Sequence, residues 1–172
     1  MPHTLDALNA CDRAAFVAAL GHLFEHSPWV AEEAFADRPY ADANALLAGL
    51  CAAMRRAPAD RQLALIRAHP DLAGRLARAG ALTAASTKEQ AHAGLDKLAA
   101  SEAAEIERLN NAYKERFGFP FIICARLNAK DAILEAMRRR VNHARDAELS
   151  TALDEIAKIA GLRLAEVIAK EP

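Results

Sequence analysis

Three short stretches of this 172-residue chain place side chains capable of chemistry at breaks in the helical pattern. The first is His69-Pro70-Asp71-Leu72, in which proline disfavours helical geometry in the residue before it. The imidazole of His69 should therefore project from the end of a helix. An imidazole has a pKa of about 6.5 and can move a proton at neutral pH. We predict a general acid or base at His69, although a histidine that only caps a helix or packs in the core fits the same pattern.

The second stretch is Ser86-Thr87-Lys88-Glu89-Gln90. Its Ser86-x-x-Glu89 spacing matches a capping box and predicts a helix from Ser86 to about residue 100. The start of a helix also offers backbone N–H donors to a polar or anionic ligand. Gln90 adds an amide with donor and acceptor groups, which suits a urea-like ligand. Helix capping alone would explain the pattern, so a binding role is the second interpretation.

The third stretch runs from Phe117 to Arg126 and is the longest extended apolar run in the chain. Its glycine and proline predict a break from helix to loop rather than a strand. Such a loop ordinarily lines a core. A rigid apolar loop with accessible backbone groups can also form one wall of a small-molecule pocket. Arg126, at its end, could pair with a carboxylate.

Helices must position these stretches, because almost every other segment has helical composition and spacing. The sequence predicts an all-α fold, with residues 1–172 forming a single-domain bundle of about eight helices. Asp12 is a candidate N-cap, a further helix is predicted from Asp42, and Gly118 is a candidate helix stop. The segment from Asp71 to Gly80 is predicted to be a short irregular or helical piece.

Charge and composition exclude several functional classes. The net charge of −1 does not favour a nucleic-acid partner or an acidic membrane surface. The basic run Arg138-Arg139-Arg140 is expected on the exposed face of a helix. The three cysteines, Cys11, Cys51 and Cys124, are too far apart in sequence to suggest a disulfide framework or a metal-binding pair. Without a signal-peptide pattern or an apolar stretch of roughly 20 residues, we expect a soluble cytoplasmic protein.

Two alternative functions are considered. His22-Leu23-Phe24-Glu25-His26 has the H-x-x-E-H pattern of some zinc enzymes and would suit a metal-dependent hydrolase using His22 and His26. Nothing in the sequence marks a third ligand, and Ser27-Pro28 should end the helix at once, so we expect no metal. The other alternative is a non-catalytic helical binding module whose apolar loop docks a partner.

In this order and spacing, the three stretches resemble the OHCU decarboxylase family. Those enzymes act on 2-oxo-4-hydroxy-4-carboxy-5-ureidoimidazoline in urate breakdown. The resemblance includes Ala93-Gly94-Leu95 after the second stretch, Phe24 to Trp29 near the start and Ile159 to Leu164 near the end. Gly161 departs from it, since a bulkier or charged residue is expected there.

The resemblance implies an all-helical, cofactor-free decarboxylase that forms a homodimer and yields (S)-allantoin. It implies that His69 is the proton donor and that Glu89 orients His69 or the substrate hydroxyl. The sequence leaves open whether His69 activates the 4-hydroxyl or protonates the new carbon. It leaves open whether Arg126 or Arg163 meets the substrate. The residues implied to line the substrate are Pro70, Ser86, Thr87, Lys88, Glu89, Gln90, Phe121, Ile122, Ile123, Cys124 and Ala125.

Overall fold

A computed structural model describes residues 3–73 and 82–169. Within these ranges the chain forms nine α-helices and no strand, apart from one isolated parallel bridge between His3 and Ile168. The predicted all-α class is confirmed. No helix in the described part of the chain is long and apolar enough to cross a membrane. Most of the piece predicted between Asp71 and Gly80 lies outside the described residues.

The chain divides into two compact units, residues 1–68 with 156–172 and residues 69–155. The predicted single domain stays a prediction. The first unit contains α1 (Leu5–Ala10), α2 (Arg13–Leu20), α3 (Trp29–Ala34), α4 (Ala43–Arg56), α5 (Ala59–Ala68) and the end of α9 (Arg145–Val167). The second contains α6 (Ala84–His92), α7 (Ala100–Phe117), α8 (Lys130–Arg140) and the start of α9.

In the first unit, the predicted cap at Asp12 and the predicted helix start at Asp42 are both confirmed. Asp12 accepts a hydrogen bond from the backbone N–H of Ala15 at 2.8 Å, and Asp42 accepts one from Ala45 at 2.7 Å. Each carboxylate satisfies a backbone donor that the first helical turn leaves unpaired. The buried core between these helices includes Phe16, Leu20, Leu46, Leu50 and Met54.

Gly161 lies where α9 approaches α4 in the first unit. A Cβ at this position would lie 3.1 Å from Cδ2 of Leu47, so the small residue permits close packing. Gly161 and Leu47 also border a cavity of about 630 Å³. The departure from the family pattern therefore has a local packing explanation.

In the second unit, α7 ends at the predicted glycine. Gly118 has a φ of 78°, and its N–H donates to the carbonyl of Lys114 at 2.8 Å. This left-handed conformation costs glycine little and turns the chain out of the helix. The ring of Tyr113 then packs against the rings of Phe117, Phe119 and Phe121, which anchors the following loop in the core.

The predicted capping box at Ser86 is wrong, because α6 begins two residues earlier. Thr83 is the N-cap, and its hydroxyl accepts from the backbone N–H of Ser86 at 3.2 Å. Helix α6 ends at His92 rather than near residue 100. Thr83 and Ser86 are both suitable caps by residue type. The burial of Ser86 inside the first turn distinguishes them.

Candidate active site

His69 lies immediately after α5, which ends at Ala68. The predicted helix break is therefore confirmed, and Pro70 explains it. The His69 residue is only 8% exposed. The break thus places an imidazole in a largely buried setting, where a proton can be exchanged with limited access to water.

Helix α7 holds the chain just after His69. Nζ of Lys114 forms an ion pair with Asp71 at 2.5 Å, and Nδ2 of Asn110 donates to the carbonyl of Leu72 at 2.9 Å. Asn110 and Lys114 are four residues apart and so lie on one face of α7. Two adjacent residues of the loop are therefore attached to one rigid element.

Gln90 holds the loop after His69 at a third point, and this contact fixes the orientation of its side-chain amide. Its Oε1 accepts a hydrogen bond from the backbone N–H of Ala73 at 2.8 Å. Since the amide oxygen faces Ala73, the NH₂ group with its two donors faces away. Gln90 borders a cavity of about 430 Å³ together with Ala73 and Thr87. The side chain is thus set to donate hydrogen bonds to a carbonyl group.

Helix α6 presents two different faces. Ser86, Glu89 and Gln90, which we call the inner face, have exposures of only 5%, 9% and 7%. Their spacing of three and four residues puts them on one side of the helix. Thr87 and Lys88, the outer face, are exposed. The predicted five-residue binding stretch therefore has three polar members in the interior and two toward solvent.

The inner face lies close to the third predicted stretch. Residues 121–125, which we call the wall segment, are all buried, and the 3₁₀ turn Ala125–Leu127 packs against α6. Burial raises the pKa of the Cys124 thiol, and the nearby carboxylates of Glu155 and Glu89 raise this pKa further. The structure thus brings Glu89 near the wall segment, as a shared site requires.

The backbone of the wall segment is held by two charged residues that sequence reasoning missed. Nη1 of Arg140 donates to the carbonyl of Ile122 at 2.9 Å, and Glu155 accepts from the N–H of Cys124 at 2.7 Å. Within the described residues, no hydrogen bond engages the backbone N–H or C=O of Ile123. The central residue of the wall segment therefore keeps one donor and one acceptor for a ligand.

The prediction that the whole basic run of α8 is exposed is wrong for Arg140, which is 5% exposed. A signal for its burial exists in the sequence. Arg140 follows buried Met137 by three residues and buried Ile133 by seven, so it continues their apolar face. Glu155 likewise follows buried Ala152 by three residues on α9.

Arg126 and Arg163, the two arginines that could contact the substrate, have different surroundings. Arg126 is partly exposed on the 3₁₀ turn of the second unit. Arg163 is buried in the first unit, where Nη1 contacts Glu25 at 3.1 Å and the carbonyl of Leu23 at 3.2 Å. The role of either residue toward a ligand stays a prediction.

The geometry does not favour the metal-dependent alternative. His22 lies in a 3₁₀ turn, His26 has a φ of 46°, and Glu25 forms an ion pair with Arg163. The H-x-x-E-H residues therefore do not lie along one helix, as this motif requires. In residues 3–73 and 82–169, no three His, Cys, Asp or Glu side chains are grouped so that they could hold a metal ion.

Comparison with known proteins gives a consistent result. Residues 9–165 match the family model described as OHCU decarboxylase. The 2-oxo-4-hydroxy-4-carboxy-5-ureidoimidazoline decarboxylase of Haloferax volcanii is 46% identical over 168 residues, which cover 98% of each chain. A crystal structure of (S)-allantoin synthase superimposes with a TM-score of 0.77 at 30% identity, covering 98% of this chain and 54% of that one.

A crystal structure of OHCU decarboxylase in the presence of (S)-allantoin has a TM-score of 0.69. The superposition covers 93% of this chain and 100% of the other at 22% identity, so it supports the fold alone.

Proposed function

Because the chain belongs to the OHCU decarboxylase family, we propose that it converts 2-oxo-4-hydroxy-4-carboxy-5-ureidoimidazoline to (S)-allantoin and carbon dioxide in urate degradation. The observation that carries this proposal is the 46% identity to a decarboxylase over 98% of both chains. The buried placement of His69, Glu89 and Gln90 supports it, since these are the side chains proposed for proton transfer and ureido binding.

The proposed reaction is one decarboxylation followed by proton transfers with a net uptake of one proton. The bond between the ring carbon and the carboxylate breaks, and the adjacent ring imine accepts the electron pair. The pair forms a double bond between the two ring carbons, and the imine nitrogen takes up a proton. The hydroxyl on the decarboxylated carbon then loses its proton to become the carbonyl, while His69 delivers a proton to the adjacent carbon that bears the ureido group. Glu89 orients either the imidazole or the substrate hydroxyl. The electron pair has an acceptor within the substrate, so we expect no cofactor. An apolar surrounding favours the loss of charge as the carboxylate becomes carbon dioxide.

Gln90 is proposed to bind the ureido arm. Its oxygen is occupied by the N–H of Ala73, so its NH₂ group would donate to the ureido carbonyl. The backbone N–H and C=O of Ile123 offer a complementary donor and acceptor for an amide-like edge of the substrate. Protonation on one face of a substrate held in this way would give a single enantiomer.

The decisive experiment generates the substrate from urate in situ and follows the optical activity of the allantoin. Spontaneous decay gives racemic product, so we expect an excess of the (S) form only with enzyme. Racemic product with fresh enzyme would overturn the proposed function.

The proton-donor role of His69 is tested separately. His69→Ala should lower kcat by roughly 10²–10⁴-fold, the usual contribution of a positioned acid or base. His92→Ala is a matched control, because His92 is exposed on the last turn of α6. A normal rate and normal enantiomeric excess in His69→Ala would disprove the role of His69 and leave the decarboxylase assignment intact.

We further propose that the protein is a cytoplasmic homodimer and that residues 1–172 fold as one domain. The family resemblance supports the dimer, and the length of the chain supports the single domain. Light scattering after size-exclusion chromatography would measure the dimer. Calorimetry would test the single domain, since one domain of this size should unfold in one cooperative transition.

A further inference from the structure

Opposite charges hold the two peptide groups that flank Ile123. On one side, the Arg140 guanidinium donates to the carbonyl of Ile122 at 2.9 Å. On the other side, the Glu155 carboxylate accepts from the N–H of Cys124 at 2.7 Å. Arg140 is 5% exposed and Glu155 is 8% exposed. Hydrogen bonds to ionised groups are about twice as strong as those between neutral groups, and burial protects them from competition by water.

Arg140 is itself held in one position. Its Nε and Nη2 both contact Oε2 of Glu148, at 3.0 and 2.9 Å, and Glu148 has no exposed surface. Tyr113 donates its hydroxyl proton to the same carboxylate. The guanidinium also stacks over the Phe121 ring, 4.3 Å from its centroid. The guanidinium group is planar, and both its edge and its face are in contact with other groups, so it cannot turn freely. Its hydrogen bond therefore fixes the position of the Ile122 carbonyl.

These contacts determine how Ile123 is presented. In an extended chain, the backbone groups of alternate residues point to opposite sides. Fixing the carbonyl of Ile122 and the N–H of Cys124 on one side leaves the N–H and C=O of Ile123 on the other. The carbonyl of Cys124 is also occupied, by Asn128 at 2.9 Å.

We propose that Arg140 and Glu155 are positioning residues for the decarboxylation, which hold the wall segment so that the peptide groups of Ile123 face the substrate. This proposal rests on the proposed function, and neither residue needs to touch the substrate. A shift of about 1 Å in a substrate-positioning group can cost roughly 100-fold in rate. Loss of either contact should therefore weaken substrate binding and lower the enantiomeric excess of the product.

Arg140→Lys tests the arginine. Lysine keeps the positive charge beside Glu148, but a single ammonium cannot reproduce the planar fork or the stacking on Phe121. We expect kcat/KM to fall about 10- to 100-fold, mainly through KM. Arg138→Lys is the matched control. Arg138 lies on the same helix and also makes a two-point contact with a carboxylate, that of Glu105, but its contact is on the surface.

Two substitutions at Glu155 separate its hydrogen bond from its charge. Glu155→Gln keeps an oxygen that can accept from Cys124, so KM should stay within about threefold of wild type. Glu155→Leu removes the acceptor and leaves the N–H of Cys124 unpaired. We expect KM to rise about tenfold, because the backbone that positions the substrate would shift. Recovery in the glutamine variant would show that the contact, rather than general packing, matters.

Enantiomeric excess provides a readout that a purely structural role would not change. It should be measured with enough enzyme for catalysis to exceed spontaneous decay in every variant, and with the folded fraction determined by circular dichroism. Arg140→Lys and Glu155→Leu should give a lower (S) excess, whereas Arg138→Lys should match wild type. Unchanged KM and excess in both folded variants would overturn the positioning role. A racemic wild-type product would instead overturn the proposed function.

Discussion

The two faces of α6 differ in burial although they alternate within five consecutive residues. Ser86, Glu89 and Gln90 are buried polar side chains, whereas Thr87 and Lys88 are exposed. Burying polar groups is unfavourable unless they are hydrogen-bonded. Each inner-face residue has an interaction partner, as Gln90 has in the N–H of Ala73, so the structure compensates the burial of this face.

The contrast shows that neighbours along this helix differ in burial, so we expect them to differ in their contribution to the proposed site. The family resemblance implies that all five residues line the substrate. In the structure, Glu89 lies near the thiol of Cys124 in the wall segment and Gln90 binds the N–H of Ala73, whereas Thr87 and Lys88 are exposed. The following substitutions test the contrast in order of decreasing effect.

The largest effect is expected at Glu89, on the inner face. Glu89→Gln keeps the shape of the side chain and removes its charge. If the carboxylate orients the proton-transferring group, kcat should fall by about 10²–10⁴-fold. KM should change little, because the lost interaction belongs to the transition state. Steady-state kinetics would measure both constants, and a kcat within twofold of wild type would contradict a catalytic role.

Gln90→Glu should have the next largest effect. The new carboxylate can still accept from Ala73, but it replaces the NH₂ donors with a second oxygen. We expect KM to rise about 10- to 100-fold, because the ureido carbonyl would meet an acceptor. Hydrogen exchange at Ala73 serves as the control, since it should stay slow in Gln90→Glu and become faster in Gln90→Met. An unchanged KM would place the ureido arm elsewhere.

Ser86→Ala should have a modest effect. It removes a buried hydroxyl without altering the cap, which belongs to Thr83. Removal of this buried polar group should lower the free energy of unfolding by about 1 kcal/mol. Thermal unfolding would measure this loss, and Thr83→Ala provides a comparison in which the cap itself is removed. A larger loss in Ser86→Ala than in Thr83→Ala would mean that Ser86, not Thr83, stabilises the start of the helix.

Lys88→Ala should have the smallest effect. Exposed side chains away from special features usually change the free energy of unfolding by less than about 0.5 kcal/mol. We expect kcat/KM within about twofold of wild type in the same assay. A tenfold rise in KM would show that the outer face takes part in substrate binding, as the family resemblance implies.

Sequence reasoning was most successful where one residue type has one strong local effect. Pro70 predicts the break at His69, Gly118 predicts the end of α7, and Asp12 and Asp42 predict two helix starts. In each case, the deciding interaction lies within a few residues of the chain. The helical class follows from composition in the same way.

Features that depend on distant contacts were not predicted. Thr83 and Ser86 are equivalent as caps until burial separates them. Arg140 appeared to belong to a surface run, because a charged residue is rarely buried unless it is paired. Its partner Glu148 lies eight residues away, beyond the end of α8. The ionic supports of the wall segment therefore required three-dimensional contacts to be recognised.

Gly161 offers a route to a more heat-resistant protein. Glycine within a helix is about 1 kcal/mol less favourable than alanine. A methyl group at this position would approach Cδ2 of Leu47, whose side chain borders the cavity of about 630 Å³ and has room to turn away. Gly161→Ala should therefore raise the melting temperature by about 2–4 °C, as calorimetry would show. A lower melting temperature would mean that Leu47 cannot move. The substitution leaves all the proposed site residues unchanged, so thermal stability can be improved separately from activity.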